Sequence, residues 1–160
     1  MKSLEDLLIH ELKDLYDAEH QIVEVLPKME SAASSTKLRA AIHNHLEQTR
    51  GQITRLESAF EMINQKPKRE TCQGMKGLVK EGQMALDEEM DSPVRDAALI
   101  SAMQRVEHYE MAGYGTVRTY AQLLGYQDAA LLMQETLDEE ELTDKLLSQL
   151  AHQVNEAAKQ

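Results

Sequence analysis

Apolar residues recur along this chain at the three- and four-residue spacing of helices. In the first segment, from about Ser3 to Ala32, Leu4, Leu8, Leu15, Ile22, Leu26 and Met29 fall on one stripe at ~100° per residue. Ser3 is placed to cap it, with Asp6 at the third helical position. The string Ala32-Ala33-Ser34-Ser35-Thr36 is a short break with a new cap. A second helix follows from about Lys37 to Asn64, its stripe marked by Leu38, Ile42, Leu56, Phe60 and Ile63, with Pro67 as its terminator. Residues 66–91 contain the breakers Pro67, Gly74, Gly77 and Gly82 and a shorter pattern through Cys72, Met75, Leu78, Val79, Met84 and Leu86. They read as a connection with a helix inside it. Asp91-Ser92-Pro93 then supplies a cap followed by Pro at the first helical position. That helix runs to about Leu124 with Leu99, Ala102, Val106, Gly113, Val117 and Leu124 inward, and Gly125 is its stop. The last helix starts near Gln127, runs to about Glu156 and carries Leu132, Leu147, Leu150 and Val154.

The order is therefore two helical hairpins, each with a tight turn, joined by a connection of about 25 residues. Tight turns imply antiparallel neighbours, and one long crossover between hairpins is the ferritin-like arrangement. The expected fold is all-α: a ferritin-like antiparallel four-helix bundle, with an additional helix in the crossover, as a single domain over residues 1–160. Composition agrees, since 7 Gly, 3 Pro and no Trp suit long uninterrupted helices.

A net charge of −11 leaves nothing to neutralise phosphates, so nucleic acid is excluded as a partner. No run approaches the ~20 apolar residues of a membrane span, and no membrane association is expected. The single cysteine, Cys72, cannot form an intramolecular disulfide, which suits a reducing compartment. The first residues lack a signal-peptide pattern, so a cytoplasmic location is expected.

The inward faces also carry charge. Glu19 lies within ~40° of the stripe of the first helix, and His45, Thr49 and Gln52 lie within a similar angle of the second, with Gln48 at its edge. On the fourth segment Glu110 lies ~40° from Val106 and Leu124, with Glu107 at the rim. On the last, Glu140 is near the centre of the stripe, Asp144 is one turn on, and Glu141 points away. Glu19 and Gln48 are each about 14 residues from their turn, and Glu110 and Glu140 about 15 from theirs, or about 22 Å at 1.5 Å per residue. All four long helices can thus present polar side chains at mid-bundle. One glutamate at the edge of an apolar stripe is usually a snorkelling residue. Several at one level need protonation, a basic partner or metal, and no Lys or Arg sits on these stripes at that height. Carboxylates with an imidazole suit iron or manganese, and zinc is also possible. Tyr16, one turn from Glu19, is placed for a hydrogen bond to it, and His108 to orient Glu107.

The strings LKDLYDAEHQ (12–21), HLEQTRGQITRLE (45–57), CQGMKGLVKEG (72–82), VRDAALISAMQRVEHYEMAGYGT (94–116) and ETLDEEELTDKL (135–146) carry a resemblance over nearly the whole chain. It resembles the YciE/YciF family of ferritin-like bacterial stress proteins. The resemblance implies a ferritin-like bundle, a homodimer and a dinuclear metal centre, with no established reaction. The matching positions are Glu19, His45 with position 48, Glu107 and Glu110, and Glu140. Relatives often carry Glu at position 48, where this chain has Gln48. The Glu-x-x-His pair of ferritin is also missing, since the chain has Glu47-x-x-Arg50 and Glu140-x-x-Thr143. The expectation is a stress-response protein with a di-iron or manganese site, reactive toward oxygen or peroxide: Glu110 and Glu140 bridging, Glu19 and Glu107 capping, His45 as nitrogen ligand. The alternative is a dimeric interaction scaffold with a degenerate site. The outer face of the first hairpin is the candidate dimer surface.

Overall fold

Ser3 starts the first helix as its position predicts: its Oγ accepts the Asp6 backbone N–H at 3.0 Å, satisfying one of the donors a helix leaves free at its start. The computed structural model describes residues 1–159, which form five helices and, among those residues, no strand. They are α1 (Leu4–Ala32), α2 (Thr36–Met62), α3 (Gln73–Asp87), α4 (Ser92–Leu123) and α5 (Gln127–Ala158). Helix α1 continues through Pro27, whose missing N–H removes one rung near its end. Ser35 caps α2 by accepting the Leu38 N–H.

The end of α2 and the start of α4 differ from their expected signals, while the end of α4 follows its own. Helix α2 stops at Met62, well before Pro67, because Asn64 turns left-handed at φ 56°. Asn64 and Gln65 then return their N–H groups to Glu61 and Phe60, the closure that glycine usually provides. Helix α4 ends with the same closure around Gly125, at φ 86°, with Tyr126 N–H on the Ala121 carbonyl. At the start of α4, Ser92 is the first helical residue and Pro93 the second, and the Asp91 side chain makes no cap bond.

Helix α1 packs on α2, α2 on α5, α5 on α4, and α4 back on α1, while α3 lies across α1 and α4. The apolar core divides in two. One cluster joins the C-terminal half of α1 (Ile22, Leu26) and the N-terminal half of α2 (Leu38, Ile42) to Leu99 and Met103 of α4 and Leu147 of α5. The other joins Leu8 and Leu15 to Leu56 and Phe60, Val117 and Met133. This exchange of halves makes each neighbouring pair of long helices antiparallel. The connection from α2 to α4 must span both clusters, and α3 occupies most of it. Leu124 and Leu132, expected inward, are only half-buried; Ala121, Met133 and Leu137 take their places.

Asp96 ties the turn of the first hairpin to α4. Its buried carboxylate accepts the Ser34 N–H at 2.8 Å, the Ser34 hydroxyl at 2.6 Å and the Ser35 N–H at 2.8 Å. Asp17 anchors the start of α3 in the same way, accepting the Cys72 N–H and the Arg69 Nε–H, each at 2.8 Å. Burial works against its charge, but the Cys72 N–H, Gln21 and Arg69 hold its carboxyl below the ordinary range.

The large apolar side chains left exposed lie mainly on the second hairpin rather than the first: Leu123 on α4, and Leu131, Leu142 and Leu146 along one face of α5. No helix among the described residues is long and apolar enough to cross a membrane.

Replacing Asp96 with alanine strands two backbone donors and a hydroxyl in a buried turn. We expect Asp96→Ala to lose about 3 kcal/mol of stability in urea unfolding, with Asp96→Asn losing less. Equal stability of wild type and Asp96→Ala would remove the carboxylate from its anchoring role.

Candidate metal centre

Between the two apolar clusters lies a layer of polar side chains. Glu19 projects from α1 on the face that also carries Leu15, Ile22 and Leu26. His45, Thr49 and Gln52 do so from α2, Glu107 and Glu110 from α4, and Thr136, Glu140 and Thr143 from α5. Glu19, Glu107, Glu110 and Glu140 have no exposed surface, and His45 is 1% exposed. Glu107, expected at the rim of its stripe, is thus as deep as the others.

One ligand-type atom from each of His45, Glu107, Glu110 and Glu140 lies within 4.8 Å of the rest. His45 Nε2 is 3.2 Å from Glu107 Oε1 without forming a hydrogen bond. No Lys or Arg among the described residues pairs with these carboxylates; the nearest such pair, Arg55 with Glu139, sits beside the layer and is partly exposed.

Two neutral donors address the carboxylates from neighbouring helices. The Tyr114 hydroxyl, fully buried on α4, donates to Glu19 Oε1. The Gln52 amide on α2 donates to Glu140 Oε1, and at 3.1 Å to Glu139. Each leaves the second oxygen of its partner free. With the carboxyls ionised, Glu19 Oε2, Glu140 Oε2, both oxygens of Glu107 and Glu110, and both nitrogens of His45 have no hydrogen-bond partner; protonated, Glu19 pairs with Glu110 and Glu107 with Glu140. Native interiors rarely leave so many buried polar atoms unsatisfied.

The electrostatics follow from this crowding. Burial, then the charge of Glu140, pushes the Glu19 carboxyl up to about 8 despite the Tyr114 bond. Burial and the neighbouring glutamates raise Glu107 and Glu110 well above the carboxylate range. Burial lowers His45, which keeps the imidazole neutral and its lone pair available. Burial and Glu19 raise the Tyr114 hydroxyl, so it remains a donor. Without cations, the layer is stable only when largely protonated. With divalent cations it becomes a set of oxygen ligands plus one nitrogen, so the residues present fit a metal of the iron or manganese type.

Three candidates stand outside the group: Glu19, buried in the same layer, and Gln48 and Asp144, which are not. Gln48 is half-buried, and its Oε1 accepts the Thr143 hydroxyl at 3.3 Å. Asp144 is partly exposed and faces Gln104, at 3.0 Å, and His108, at 3.3 Å. The positions of Gln48 at the edge and Asp144 one turn beyond the stripe centre carry these two off the axis. Two positioning roles are corrected. Tyr16 donates to Glu57 rather than to Glu19, because its ring leans toward α2 against Phe60. His108 is 66% exposed and pairs with Asp144, facing away from Glu107. Tyr114 and Gln52 are the contributors that stripe position alone does not assign. Gln52 was visible as an inward amide, and Tyr114 is one turn beyond Glu110 on the same face. Cys72 is no nucleophile: its Sγ caps α3, and burial, then Asp14, pushes the thiol up to about 11.

Comparison with known proteins places this arrangement. The chain matches the family described as "Domain of unknown function (DUF892)" over residues 3–159. It is 48% identical to Protein YciF of Escherichia coli strain K12, covering 99% of this chain and 96% of that one. The crystal structure of the E. coli stress protein YciF aligns with a TM-score of 0.94 at 47% identity, over 98% of this chain and 99% of that chain. YcfI of Rhodopseudomonas palustris aligns at 0.89 and 40% identity, over 92% and 94% of the two chains. A protein of Xanthomonas campestris pv. campestris shares the fold at a TM-score of 0.78 and 19% identity, over 97% and 95%. The match over residues 3–159 shows that the chain belongs to the DUF892 family, and over nearly its whole length it is similar to the E. coli stress protein YciF.

Proposed function

We propose that this protein is a ferritin-like four-helix-bundle stress protein whose polar layer holds a pair of divalent metal ions, iron or manganese. The observation that carries this reading is the set of buried, unpartnered ligand atoms of His45, Glu107, Glu110 and Glu140 within 4.8 Å of one another. That set serves one ion. Glu19 Oε2, also unpartnered, offers an oxygen for a second. The charges support the count: the buried carboxylates of Glu19, Glu107, Glu110 and Glu140 balance two divalent cations.

The hydrogen bonds assign work among the ligands. Tyr114 and Gln52 each occupy one oxygen of Glu19 and Glu140, which favours single-oxygen ligation from these two. Glu107 and Glu110 receive no side-chain N–H or Tyr O–H and would hold metal through either oxygen. A bound iron or manganese pair would supply the electrons for reducing dioxygen or peroxide. The protein side chains orient the site, exclude water and hold its charge balance. A rival reading, an interaction scaffold with a protonated core, draws on the same Tyr114 and Gln52 bonds, which can satisfy part of the layer without metal.

Elemental analysis after loading with Fe(II) or Mn(II) separates the two. We expect two ions per chain in the wild type and a loss of at least one in Glu110→Gln, with helicity unchanged by circular dichroism. Full metal content in that variant would refute its role as a ligand. Tyr114→Phe should keep the fold and weaken the affinity for the ion held by Glu19 about tenfold or more.

The pH dependence has a definite sign. Glu19 holds its proton in the folded state up to about pH 8, against a reference value of 4.5. The folded metal-free protein therefore binds more protons than the unfolded chain across that window. The stability contributed by these carboxyls is fully present below the reference value and falls by about 1.4 kcal/mol per pH unit for each of them as the pH rises toward 8. Added Mn(II) should offset this fall and release protons, read as a buffer-dependent heat in calorimetry. A melting temperature independent of pH in the metal-free protein would contradict the buried-acid account.

A further inference from the structure

The seam between α2 and α5 carries a file of three carboxylates that leads from solvent to the polar layer. Glu135 is 61% exposed, Glu139 is 26% exposed, and Glu140 has no exposed surface. Two side chains of α2, one turn apart, stand among them. Arg55 donates to Glu139 through Nη1 at 2.8 Å and Nη2 at 2.5 Å, and its Nε lies 3.4 Å from Glu135. Gln52, fully buried, donates from one nitrogen to Glu139 Oε2, at 3.1 Å, and to Glu140 Oε1. Two such bonds from a single nitrogen put the two carboxylate oxygens within about 6 Å of each other. Gln52 Oε1, on the same amide, is buried and has no partner.

We propose that this seam is the entry path for divalent cations, with Glu139 as the outer ligand, Arg55 as the gate over it and Gln52 Oε1 as the oxygen between Glu139 and Glu140. The inference rests on the proposed function, which supplies the destination. A divalent cation cannot pass apolar side chains without a prohibitive loss of hydration, so oxygen ligands must replace its waters in steps. The buried group has no exposed member, and a partly exposed carboxylate beside it meets that need. In the closed state Arg55 covers both Glu139 oxygens, the planar two-bond fit of guanidinium to carboxylate. Its second acceptor, Glu135, is one turn away on the same face of α5, so Arg55 can release Glu139 without losing an ionic partner. A half-turn of the Gln52 amide exchanges its nitrogen for Oε1 between the two carboxylates, and turns a donor to them into a ligand beside them.

The seam between α4 and α5 lacks this continuity. Asp144 accepts from Gln104 and faces His108, and among the described residues no hydrogen bond joins it to a buried glutamate. On the α2 side, the buried Thr136 hydroxyl accepts Arg55 Nη1 at 3.3 Å, which seats the guanidinium in the seam rather than above it.

The test is the rate of Co(II) uptake, followed by visible absorbance after rapid mixing, with enough salt to screen the general field of the protein. Glu139→Gln should slow uptake several-fold and leave the final metal content at the wild-type value. Arg55→Lys keeps the charge but cannot make the two-bond clasp, and should speed uptake several-fold. In the Glu139→Gln background Arg55→Lys should have no effect, since the gate acts only through Glu139. Asp144→Asn removes an equal charge at the other seam and should leave the rate unchanged. A wild-type rate in Glu139→Gln, or equal slowing by Asp144→Asn, overturns the path. Loss of final metal content in Glu139→Gln makes Glu139 a resident ligand and overturns its transit role. Should Glu139→Gln unfold, Glu135→Gln serves at an exposed position: it removes the acceptor to which Arg55 retreats and should slow uptake, and an unchanged rate overturns the gate. No Co(II) uptake by the wild type refutes the metal reading and the path with it, whereas uptake at a rate indifferent to Glu139 refutes the path alone.

Discussion

A low-dielectric layer crowded with carboxyl groups is the condition to which the rest of this protein answers. Glu19, Glu107, Glu110 and Glu140 have no contact with solvent and no Lys or Arg partner, and burial with the neighbouring glutamates holds the protons on Glu19, Glu107 and Glu110. Two apolar clusters above and below supply the driving force that keeps such a layer in the interior. The antiparallel exchange of helix halves lets one side of each cluster be built from both hairpins, so neither hairpin can leave without opening the layer to water. Asp96 at one turn and Asp17 under α3 are carboxylates of the other kind, each surrounded by donors, and they show what a satisfied acid looks like in the same interior.

Long amphipathic helices were the most legible part of the sequence. Their stripes, their caps at Ser3 and Ser35 and the stop at Gly125 are local signals, and the helices follow them. Where local signals competed, the nearer one won: Asn64 ended α2 before Pro67 could. Burial of Glu19, His45, Glu110 and Glu140 was legible because a stripe angle and a distance from a turn are both set by helix geometry. What angle alone could not resolve was the edge of a stripe. Glu107 and Gln48 had similar marginal positions, yet one is buried and the other half-exposed, since the outcome depends on which neighbour helix covers that edge. The partners of Glu19 and Glu140 were hidden for the same reason: Tyr114 and Gln52 reach them from other helices, and a single chain pattern carries no information about such crossings.

Neutral donors in this layer do something a salt bridge could not. An arginine or lysine beside Glu19 would cancel charge permanently and compete with a cation. A phenol and an amide fix orientation while leaving the negative charge available, so the layer can alternate between protonated and cation-bound states with little rearrangement.

The long connection between α2 and α4 also shapes how the chain reaches this state. Each hairpin joins helices adjacent in sequence and can form from local contacts, whereas the faces bearing Glu19 and His45 meet those bearing Glu110 and Glu140 only across a wide loop. Docking the hairpins desolvates all of these groups in one step. The barrier to assembly therefore includes the work of neutralising them, and the supply of protons or cations at that moment becomes a determinant of folding rate as well as of the final state. A chain made where both are scarce would spend longer as two exposed hairpins, with the leucines of both apolar clusters uncovered.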